Sequence, residues 1–384
     1  MTNISGLRGI RDSVEKKRIA ERLIEIRKAL KAQGVPPRNL DDTLLLASWN
    51  IRDFDSNKFR HGKRLRESFY YLAEIISAFD IVALQEVNED LSGLRKLMHH
   101  LGPAWDFIAT DVAGNKERMV FVFDRNKVWF RDIAGEIVLP YVSKTPSKKE
   151  ILDFAKAVEP LSGKELKKLI DERNALDPNR QFNRTPFMVA FQSGWFRFKL
   201  CTVHIYYGAE SGVALERRIK EIRDIAKFLS KRADGDKDDH YILLGDFNIV
   251  SPDHETMTAL QEFGFEVPDQ LHRTNVRETK FYDQIAFRLK RRELMPGASN
   301  VFRFNRAVFR DSDFDVYKAD MRRISGALKG NETEAALRDY YETWRTFQMS
   351  DHNLLWVELK INFAADFLKD RIKEADDEIR ASGG

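Results

Sequence analysis

The chain has 384 residues and 43% of them are apolar, which is enough to bury one large core or two ordinary ones. The 64 basic residues are nearly balanced by 60 acidic ones, and a net charge of +4 does not predict nucleic-acid binding unless the basic residues gather locally. The single cysteine, Cys201, excludes an internal disulfide and a zinc-thiolate site, and no apolar stretch resembles a secretion signal or a membrane span, so we expect a cytoplasmic protein with Cys201 buried in a strand.

The first predicted element is an amphipathic helix between residues 12 and 33, which ends at Gly34 ahead of two prolines. Residues 1–40 carry 10 basic and 4 acidic residues. We treat this segment as an N-terminal extension that packs on the main domain, with contact to a polyanion, a protein partner or a second copy as the alternatives. Apolar residues recur in the helix mostly three or four positions apart, at Val14, Ile19, Leu23, Ile26 and Leu30.

Short apolar runs bounded by polar residues predict β-strands from Leu44 onward. Helical patterns begin near Leu65, Asp90 and Leu215. The turns at 124–126 and 193–194 each separate two apolar runs and predict two β-hairpins. In chain order the predicted strands are LLLASWNI, IVALQ, RMVFVF, KVWFRDI, PFMVAFQ, WFRFKLCTVHI, YILL, YDQIAF and NLLWVELKI.

Two charged segments with helical character interrupt the strands, at 141–184 and 303–347. Each is flanked by strands that would otherwise be neighbours in a sheet, so we interpret both as insertions in one domain covering residues 41–361. Residues 362–384 predict a C-terminal helix that ends near Gly383. The role of the insertions stays open among a lid, a polynucleotide clamp and a protein interface.

Polar residues stand at the ends of several predicted strands. Asn50 and Glu86 follow the first two strands, Asp246 and Asn248 follow YILLG, and the pair 351–352 precedes NLLWVEL. Taken singly, such residues are more often solvated loop residues or helix caps than catalytic groups. A sheet can aim several strand ends at one point, so their joint occurrence predicts a site.

These residues lie in short motifs that occur in one order: SWNI, LQEV, VHIYYG, LLGDFN, YDQI and SDH. In this order the chain resembles the endonuclease/exonuclease/phosphatase superfamily, typified by deoxyribonuclease I, over roughly residues 43–361. The resemblance implies an α/β (α+β) fold, a four-layer α/β/β/α sandwich of two packed mixed β-sheets flanked by helices. It leaves the N-terminal extension, the insertions and the C-terminal helix unexplained.

The resemblance also implies a metal-assisted attack of water on a phosphoester. Oxygen ligands from Glu86, Asn50 and Asp351 would suit Mg²⁺ or Mn²⁺ better than zinc. Such a reaction needs a group that activates water and groups that neutralise the charge of the transition state.

Five residues would carry the catalytic roles that the resemblance implies. Asp246 would orient or deprotonate water, and Asn248 would donate hydrogen bonds to the phosphoryl oxygens. His204 and His352 would bracket the phosphate, with Asp283 fixing the tautomer and the charge of His352.

Three further residues are candidate substrate contacts. Arg184 and Arg118 open predicted strands and could bind phosphate, although an exposed ion pair explains either equally well. Tyr206 follows His204 and could stack on a base or a sugar, whereas core packing is the alternative.

The YDQI motif is similar to the deoxyribonuclease I type, as is the presence of His204, and both favour a nuclease that cuts DNA with little sequence preference. The alternative enzyme is a phosphatase or a phosphoesterase of phospholipids or inositol phosphates. A non-catalytic binding module is disfavoured because none of the catalytic carboxylates or histidines is missing. The choice among DNA, RNA and small phosphoesters, and between endonuclease and exonuclease action, stays open.

Overall fold

Eleven strands of the computed structural model form two mixed β-sheets, and the structure describes residues 2–141, 147–175, 177, 179–290, 294 and 296–382. The first sheet has six strands in the order β10-β11-β1-β2-β4-β3, and the second has five in the order β5-β6-β7-β8-β9. The first sheet contains β1 (Thr43–Phe54), β2 (Ile81–Asn88), β3 (Trp105–Ala109), β4 (Glu117–Asp124), β10 (Ala298–Phe302) and β11 (Leu354–Lys360). The second contains β5 (Trp129–Glu136), β6 (Phe187–Ser193), β7 (Phe196–His204), β8 (His240–Asp246) and β9 (Asp283–Arg288).

Most of the helices pack on the outer faces of the two sheets, whereas those of the first insertion and the C-terminal helix are largely exposed. None within the described ranges combines the length and the apolar character needed to cross a membrane. In chain order they are α1 (Ser13–Ala32), α2 (Arg66–Ile76), α3 (Ser92–Leu101), α4 (Lys148–Val158), α5 (Gly163–Ala175), α6 (Gly212–Gly235), α7 (Glu255–Gln261), α8 (Phe314–Ile324), α9 (Glu334–Gln348) and α10 (Ala364–Ser382).

Alternation along β1 shows how the layers are built. Leu44 and Leu46 point into the core between the two sheets, whereas Leu45 and Trp49 point to the opposite face and pack under the helices. A third core lies between the outer face of the second sheet and helices α6 and α7. The four-layer sandwich implied by the resemblance is therefore confirmed.

A polar bridge joins the two sheets near one end of their shared core. The Gln85 side chain on β2 donates to the Thr202 hydroxyl on β7 at 2.9 Å and to the Ser48 hydroxyl on β1 at 3.2 Å. All three residues are fully buried. Since a buried polar group is costly without its partner, this bridge disfavours sliding of one sheet over the other.

Helix α1 belongs to the helical layer of the first sheet. The Asp12 carboxylate caps its N-terminus by accepting from the backbone N–H of Val14 at 2.8 Å. Its apolar stripe is buried against α2, and ion pairs join the flanks of the two helices, such as Arg18 with Glu67 at 2.8 Å. In contrast, α10 is exposed along most of its length.

One of the two predicted hairpins does not form. Residues 124–126 connect β4 of the first sheet to β5 of the second, so these strands are not paired. Lys127 directs the chain at this crossing, because its buried ammonium group binds the Asp80 carboxylate at 2.9 Å and the backbone carbonyls of Asn39 and Thr43. The other predicted hairpin, β6 with β7 around Gly194, is confirmed.

Both predicted insertions connect strands that are neighbours in a sheet. Helices α4 and α5 lie between β5 and β6, which pair antiparallel in the second sheet. Helices α8 and α9 lie between β10 and β11, which pair antiparallel in the first. The expected end of the last helix near Gly383 lies outside the described residues.

Candidate active site

A break in the regular β2 strand turns Glu86 toward the second sheet. Gln85 already faces the inter-sheet core, so regular alternation would turn Glu86 away from it. Instead Glu86 has a left-handed backbone with φ of 60°, and the pairing of β2 with β4 shifts register between Leu84 and Val87. This costs conformational energy of the kind often stored at functional sites. The backbone N–H of Asp53 donates to the Glu86 carboxylate at 2.8 Å and holds it in place.

The GDFN loop needs its glycine for steric reasons. Gly245 has φ of +133°, and a Cβ atom there would lie 2.1 Å from the Val203 carbonyl oxygen on β7. This close approach aligns the ends of β7 and β8, so that His204 and Asp246 lie opposite each other. Asn248 is held behind them, with its amide donating to the Ile205 carbonyl at 2.9 Å.

Asp246 lies at the centre of the candidate site. Its Oδ2 atom is 3.2 Å from the Asn50 amide nitrogen, 3.7 Å from His204 Nε2 and 3.8 Å from His352 Nε2. Its Oδ1 atom accepts from the Asn248 backbone N–H at 2.9 Å. Burial raises the pKa of Asp246 to about 6, with His352 opposing the rise. A carboxylate with such a pKa can accept a proton near neutral pH.

His352 and Asp283 form a buried ion pair, with Nδ1 2.7 Å from Oδ2. Burial acts to lower the pKa of His352, but the Asp283 carboxylate outweighs it and holds the pKa well above its ordinary value. His352 is therefore charged, and its Nε2 proton points toward Asp246. The hydroxyl of Ser350 accepts from the His352 backbone N–H at 2.8 Å and donates to the Asn50 carbonyl, which fixes the loop.

His204, unlike His352, is neutral. Burial, reinforced by the nearby Arg184 guanidinium, holds its pKa well below the ordinary value, so its imidazole is neutral. Its Nε2 atom lies 3.8 Å from Glu86 and its Nδ1 atom 3.5 Å from Glu117. Arg184 binds Glu117 directly through its Nε atom. The two histidines thus differ in charge although both are buried.

One group among the described residues has the donor set for a metal ion. Ligand atoms of Glu86, Glu117 and His204 lie within 4.8 Å of one another. The Nδ1 atom of His204 is buried and has no hydrogen-bond partner among the described residues. Two carboxylates and an unpartnered imidazole nitrogen therefore fit a divalent cation, and the carboxylate oxygens suit Mg²⁺ or Mn²⁺.

This ligand set differs from the expected one in two positions. The Asn50 amide nitrogen faces Glu86 at 2.9 Å, so Asn50 acts here as a hydrogen-bond donor and its oxygen accepts from the Arg52 backbone N–H instead. Asp351 is 42% exposed and pairs with the Arg52 guanidinium at 3.3 Å, which already neutralises it. Only Glu86 is common to both sets.

The three candidate substrate contacts have different surroundings. Arg184 lies inside the cluster, bound to Glu117. Arg118 is not brought to the cluster, because it faces the other side of β4 and donates to the Thr110 carbonyl at 2.6 Å. Tyr206 lies beside the cluster with the Arg217 guanidinium 3.9 Å from the centre of its ring, so one face of the ring is already covered.

Sequence reasoning missed Glu117, although strand alternation could have found it. Met119 and Phe121 on β4 point into the inter-sheet core, and Glu117 shares their parity while Arg118 does not. Tyr282 was also missed. Its ring lies 5.7 Å from the His352 ring and 6.2 Å from the Tyr207 ring, which gives the site an aromatic wall.

The sequence model of the Endonuclease/Exonuclease/phosphatase family matches residues 47–289. That range includes Asn50, Glu86, His204, Asp246 and Asp283, whereas His352 lies beyond it. No curated protein matched the chain in a sequence search.

Several solved structures are similar to the chain at low sequence identity. The mannosyl-6-phosphatase of Bacteroides thetaiotaomicron has 16% identity and a TM-score of 0.50, with 82% of this chain and 99% of that chain covered. An endonuclease/exonuclease/phosphatase family protein of the same organism has 17% identity and a TM-score of 0.49, covering 84% and 96%. D. rerio TDP2, solved in complex with a single-strand DNA product, has 13% identity and a TM-score of 0.46, covering 83% and 98%. At 16% identity the likeness to the mannosyl-6-phosphatase extends to the fold alone.

Proposed function

Because the chain belongs to the endonuclease/exonuclease/phosphatase family, whose members hydrolyse phosphoester bonds, we propose that it is a divalent-metal-dependent nuclease that hydrolyses phosphodiester bonds in DNA. The observation that carries the proposal is the convergence on Asp246 of groups from both sheets. Asn50, His204 and His352 all lie within 3.8 Å of its carboxylate.

Asp246 has the role of activating water in this proposal. Its raised pKa of about 6 leaves it ionised at neutral pH yet able to take up a proton during the reaction. Its two neighbours at the carboxylate, the Asn50 amide and the Asn248 backbone N–H, keep its oxygens oriented. Positioning of this kind contributes much of the rate enhancement in enzymatic phosphoryl transfer.

The two histidines have separate roles. Charged His352 is suited to hold a phosphoryl oxygen or to donate a proton to the leaving oxygen, with Asp283 keeping it charged. Neutral His204 carries no net charge and is suited to donate a single hydrogen bond to a phosphoryl oxygen or to bind a cation. The Asn248 amide has a second hydrogen beyond the one given to Ile205 and can donate it to the phosphate.

Glu86 and Glu117, with His204 beside them, would hold a divalent cation, which would supply positive charge that stabilises the transition state. Arg184 adds a second positive charge at the same place. Burial lowers the pKa of Arg184 without bringing an arginine near neutrality, so this charge is permanent.

DNA is the substrate that the sequence motifs favour, and the aromatic wall of Tyr282 and Tyr207 supports a ligand with flat rings. The test is to incubate the purified protein with Mg²⁺ or Mn²⁺ and single-stranded DNA, double-stranded DNA, RNA, bis-p-nitrophenyl phosphate or an inositol phosphate. We expect cleavage of DNA. Hydrolysis of the inositol phosphate with all DNA left intact would overturn the nuclease assignment and favour the phosphomonoesterase.

Two variants test the assigned roles in the same assay. Asp246→Asn and His352→Ala are each expected to lower kcat by at least about 10²-fold, since general acid–base groups contribute rate factors of that order. His240→Ala is a matched control, because His240 is as buried as His352 but begins β8, at the end opposite Asp246. A full rate in either site variant, with folding intact by circular dichroism, would refute its role.

A further inference from the structure

A basic cleft adjoins the candidate active site. It has a volume of about 780 Å³ and lies between helix α5 of the first insertion and the beginning of α6. Five cationic and two anionic side chains line it, which gives five minus two, or three, net positive charges. The cations are Lys164, Lys167, Lys168, Arg180 and Arg217, and the anions are Asp171 and Glu172.

The lysines of the cleft lie on one side of α5. Lys164, Lys167 and Lys168 are spaced three and four residues apart and therefore share a helical face. Lys168 pairs loosely with Glu172 at 3.8 Å. Within the ranges that the structure describes, no carboxylate lies within 4.0 Å of the ammonium group of Lys164 or Lys167. Their charge is available to a ligand in the cleft.

The opposite wall is built from more rigid groups. Arg217 is fixed by Glu221 at 3.1 Å, by the Asn183 amide oxygen at 3.2 Å and by the ring of Tyr206. Because Arg217 covers one face of that ring, the wall is a poor stacking platform, and because Arg217 pairs with Glu221, the uncompensated charge of the cleft comes mainly from the lysines. A cleft with exposed ammonium groups facing a fixed guanidinium suits the phosphate groups of a polynucleotide backbone, which are the same at every position of the sequence.

This wall continues into the candidate active site. Tyr206 lies two residues after His204, a separation of at most about 7.6 Å along the chain. Asn183, which holds Arg217, directly precedes Arg184, the arginine bound to Glu117. An extended polyanion that presents one phosphate to Asp246 can therefore continue into the cleft without a turn around the molecule.

We propose that the cleft between α5 and α6 binds backbone phosphates of a polynucleotide beyond the bond that is cut. The proposal rests on the nuclease function proposed above and assigns the first insertion to substrate binding. It predicts that substrate affinity grows with strand length until the strand fills the cleft. It also predicts no contribution to small substrates that occupy the catalytic cluster alone.

The test compares the double variant Lys164→Glu/Lys167→Glu with wild type. Binding of a fluorescent 20-nucleotide single strand is measured by anisotropy in EDTA, so that no turnover is needed. We expect the dissociation constant to rise by about 10-fold at low salt. The slope of the logarithm of the association constant against the logarithm of the salt concentration is expected to flatten by about 1.4, since two phosphate contacts to the single strand are lost.

Two controls separate a specific loss from a general effect of charge. Lys148→Glu/Lys149→Glu reverses the same number of charges at exposed positions of α4, in the same insertion but outside the cleft, and should bind almost as wild type does. Lys164→Arg/Lys167→Arg keeps the charge and should retain binding. Equal losses in the two Glu variants, or an unchanged dissociation constant and salt slope in the cleft variant, would overturn the proposal.

Turnover distinguishes this proposal from the one on which it rests. The cleft variant should hydrolyse bis-p-nitrophenyl phosphate at the wild-type rate, while its KM for the 20-nucleotide strand rises toward that for a 4-nucleotide strand. If wild type binds the long strand through the cleft lysines but cuts no nucleic acid, the nuclease function fails and the cleft assignment stands. If wild type cuts DNA and the variant shows the same KM at both lengths as wild type does, the cleft assignment fails alone.

Discussion

Asp283 and His352 form a hydrogen-bonded pair inside the protein, and the charge of the histidine depends on its partner. Burial by itself would lower the pKa of His352, whereas the carboxylate 2.7 Å away raises it well above the ordinary value. The histidine therefore keeps its proton through the neutral range, and Asp283 acts on the substrate only through it. Such a positioning role can be measured separately from catalysis.

Replacement of Asp283 by asparagine removes the opposing charge and leaves burial as the larger influence on His352. We expect its pKa to fall below neutrality, which an NMR titration of the metal-free protein measures. In the active enzyme the fall of kcat on the alkaline side of its pH profile should move to lower pH, because His352 now loses its proton at a lower pH. Asp234→Asn, in a surface pair with Arg288, should change neither. An unmoved alkaline limb would argue against a charged His352 in the reaction.

The sequence identifies most of the polar residues around Asp246, because the family motifs carry them and each lies at a strand end. It does not identify the geometry at Glu86, since a left-handed non-glycine residue has no sequence pattern of its own. The resemblance implies the pairing of His352 with Asp283, but it gives no neighbour that would set the charge of His204. His204 is neutral because burial, reinforced by Arg184, lowers its pKa, whereas Asp283 outweighs burial and keeps His352 charged. These contacts connect distant parts of the chain.

Strand β4 shows how adjacent residues take different roles. Glu117 faces the cluster of Glu86 and His204, whereas Arg118 faces the carbonyl groups of the opposite side. The motif ERMVF contains both, and only the parity shared with Met119 and Phe121 distinguishes them.

Glutamine substitutions at these two positions test the metal site. Glu117→Gln is expected to weaken Mn²⁺ binding by about 10-fold or more in calorimetry, because a charged ligand becomes neutral. Arg118→Gln should change the affinity by less than about twofold, since its contacts lie with Thr110 and Asp111. Equal affinities for the two variants would exclude Glu117 as a ligand.

Helix α1 was expected to pack on the main domain, and its neighbouring residues Leu23 and Ile24 allow that contact to be measured. Leu23 is 4% exposed and Ile24 is 53% exposed. Leu23→Ala should lower the free energy of unfolding by about 2–5 kcal/mol, whereas Ile24→Ala should change it by less than about 0.5 kcal/mol. Urea denaturation gives both values. A cost for Leu23→Ala as small as that for Ile24→Ala would mean that α1 does not stay docked in solution.

The predicted hairpin at 124–126 that does not form shows that a local turn pattern cannot predict which strands pair. Asp124 and the two residues after it form a short turn of the kind that joins paired strands, yet the strands on either side enter different sheets. The crossing is fixed by Lys127 and its contacts with Asp80 and two carbonyl groups far away in sequence. A turn pattern contains no information on such contacts, so the prediction could not have been corrected from the turn alone.

The molecule as a whole places like charges together between its sheets. Glu86 and Glu117 come from neighbouring strands, and Arg184 pairs with Glu117. A cation that binds here stabilises the folded protein relative to the unfolded chain, by about 2.7 kcal/mol when its concentration is 100 times Kd.

Mn²⁺ is therefore expected to raise the melting temperature of wild type in a thermal scan, and EDTA to reverse the rise. The double variant Glu86→Gln/Glu117→Gln should show no such rise. Asp376→Asn/Asp377→Asn removes the same charge from exposed positions of α10 and should respond to metal as wild type does. An equal rise in all three proteins would place the stabilising metal elsewhere.

The layered architecture follows from the family motifs, and the positions of both insertions follow from the strands that flank them. The packing of the first insertion does not, because its helices are highly charged and α4 has no buried residue, whereas α8 and α9 of the second insertion bury apolar residues at helical spacing. The cleft lysines illustrate this limit, since their spacing on α5 is visible in sequence while their position beside Arg217 depends on how α5 meets α6.

The bridge from Gln85 to Thr202 has a consequence for how activity is acquired. Asn50 and Glu86 reach the site from one side of this bridge, and His204 and Asp246 from the other. A refolding intermediate with only one half of the sandwich assembled would be catalytically silent, however native its helices were. Regain of turnover after dilution from denaturant therefore requires that both halves are docked, whereas far-ultraviolet dichroism reports secondary structure whether or not the halves are docked.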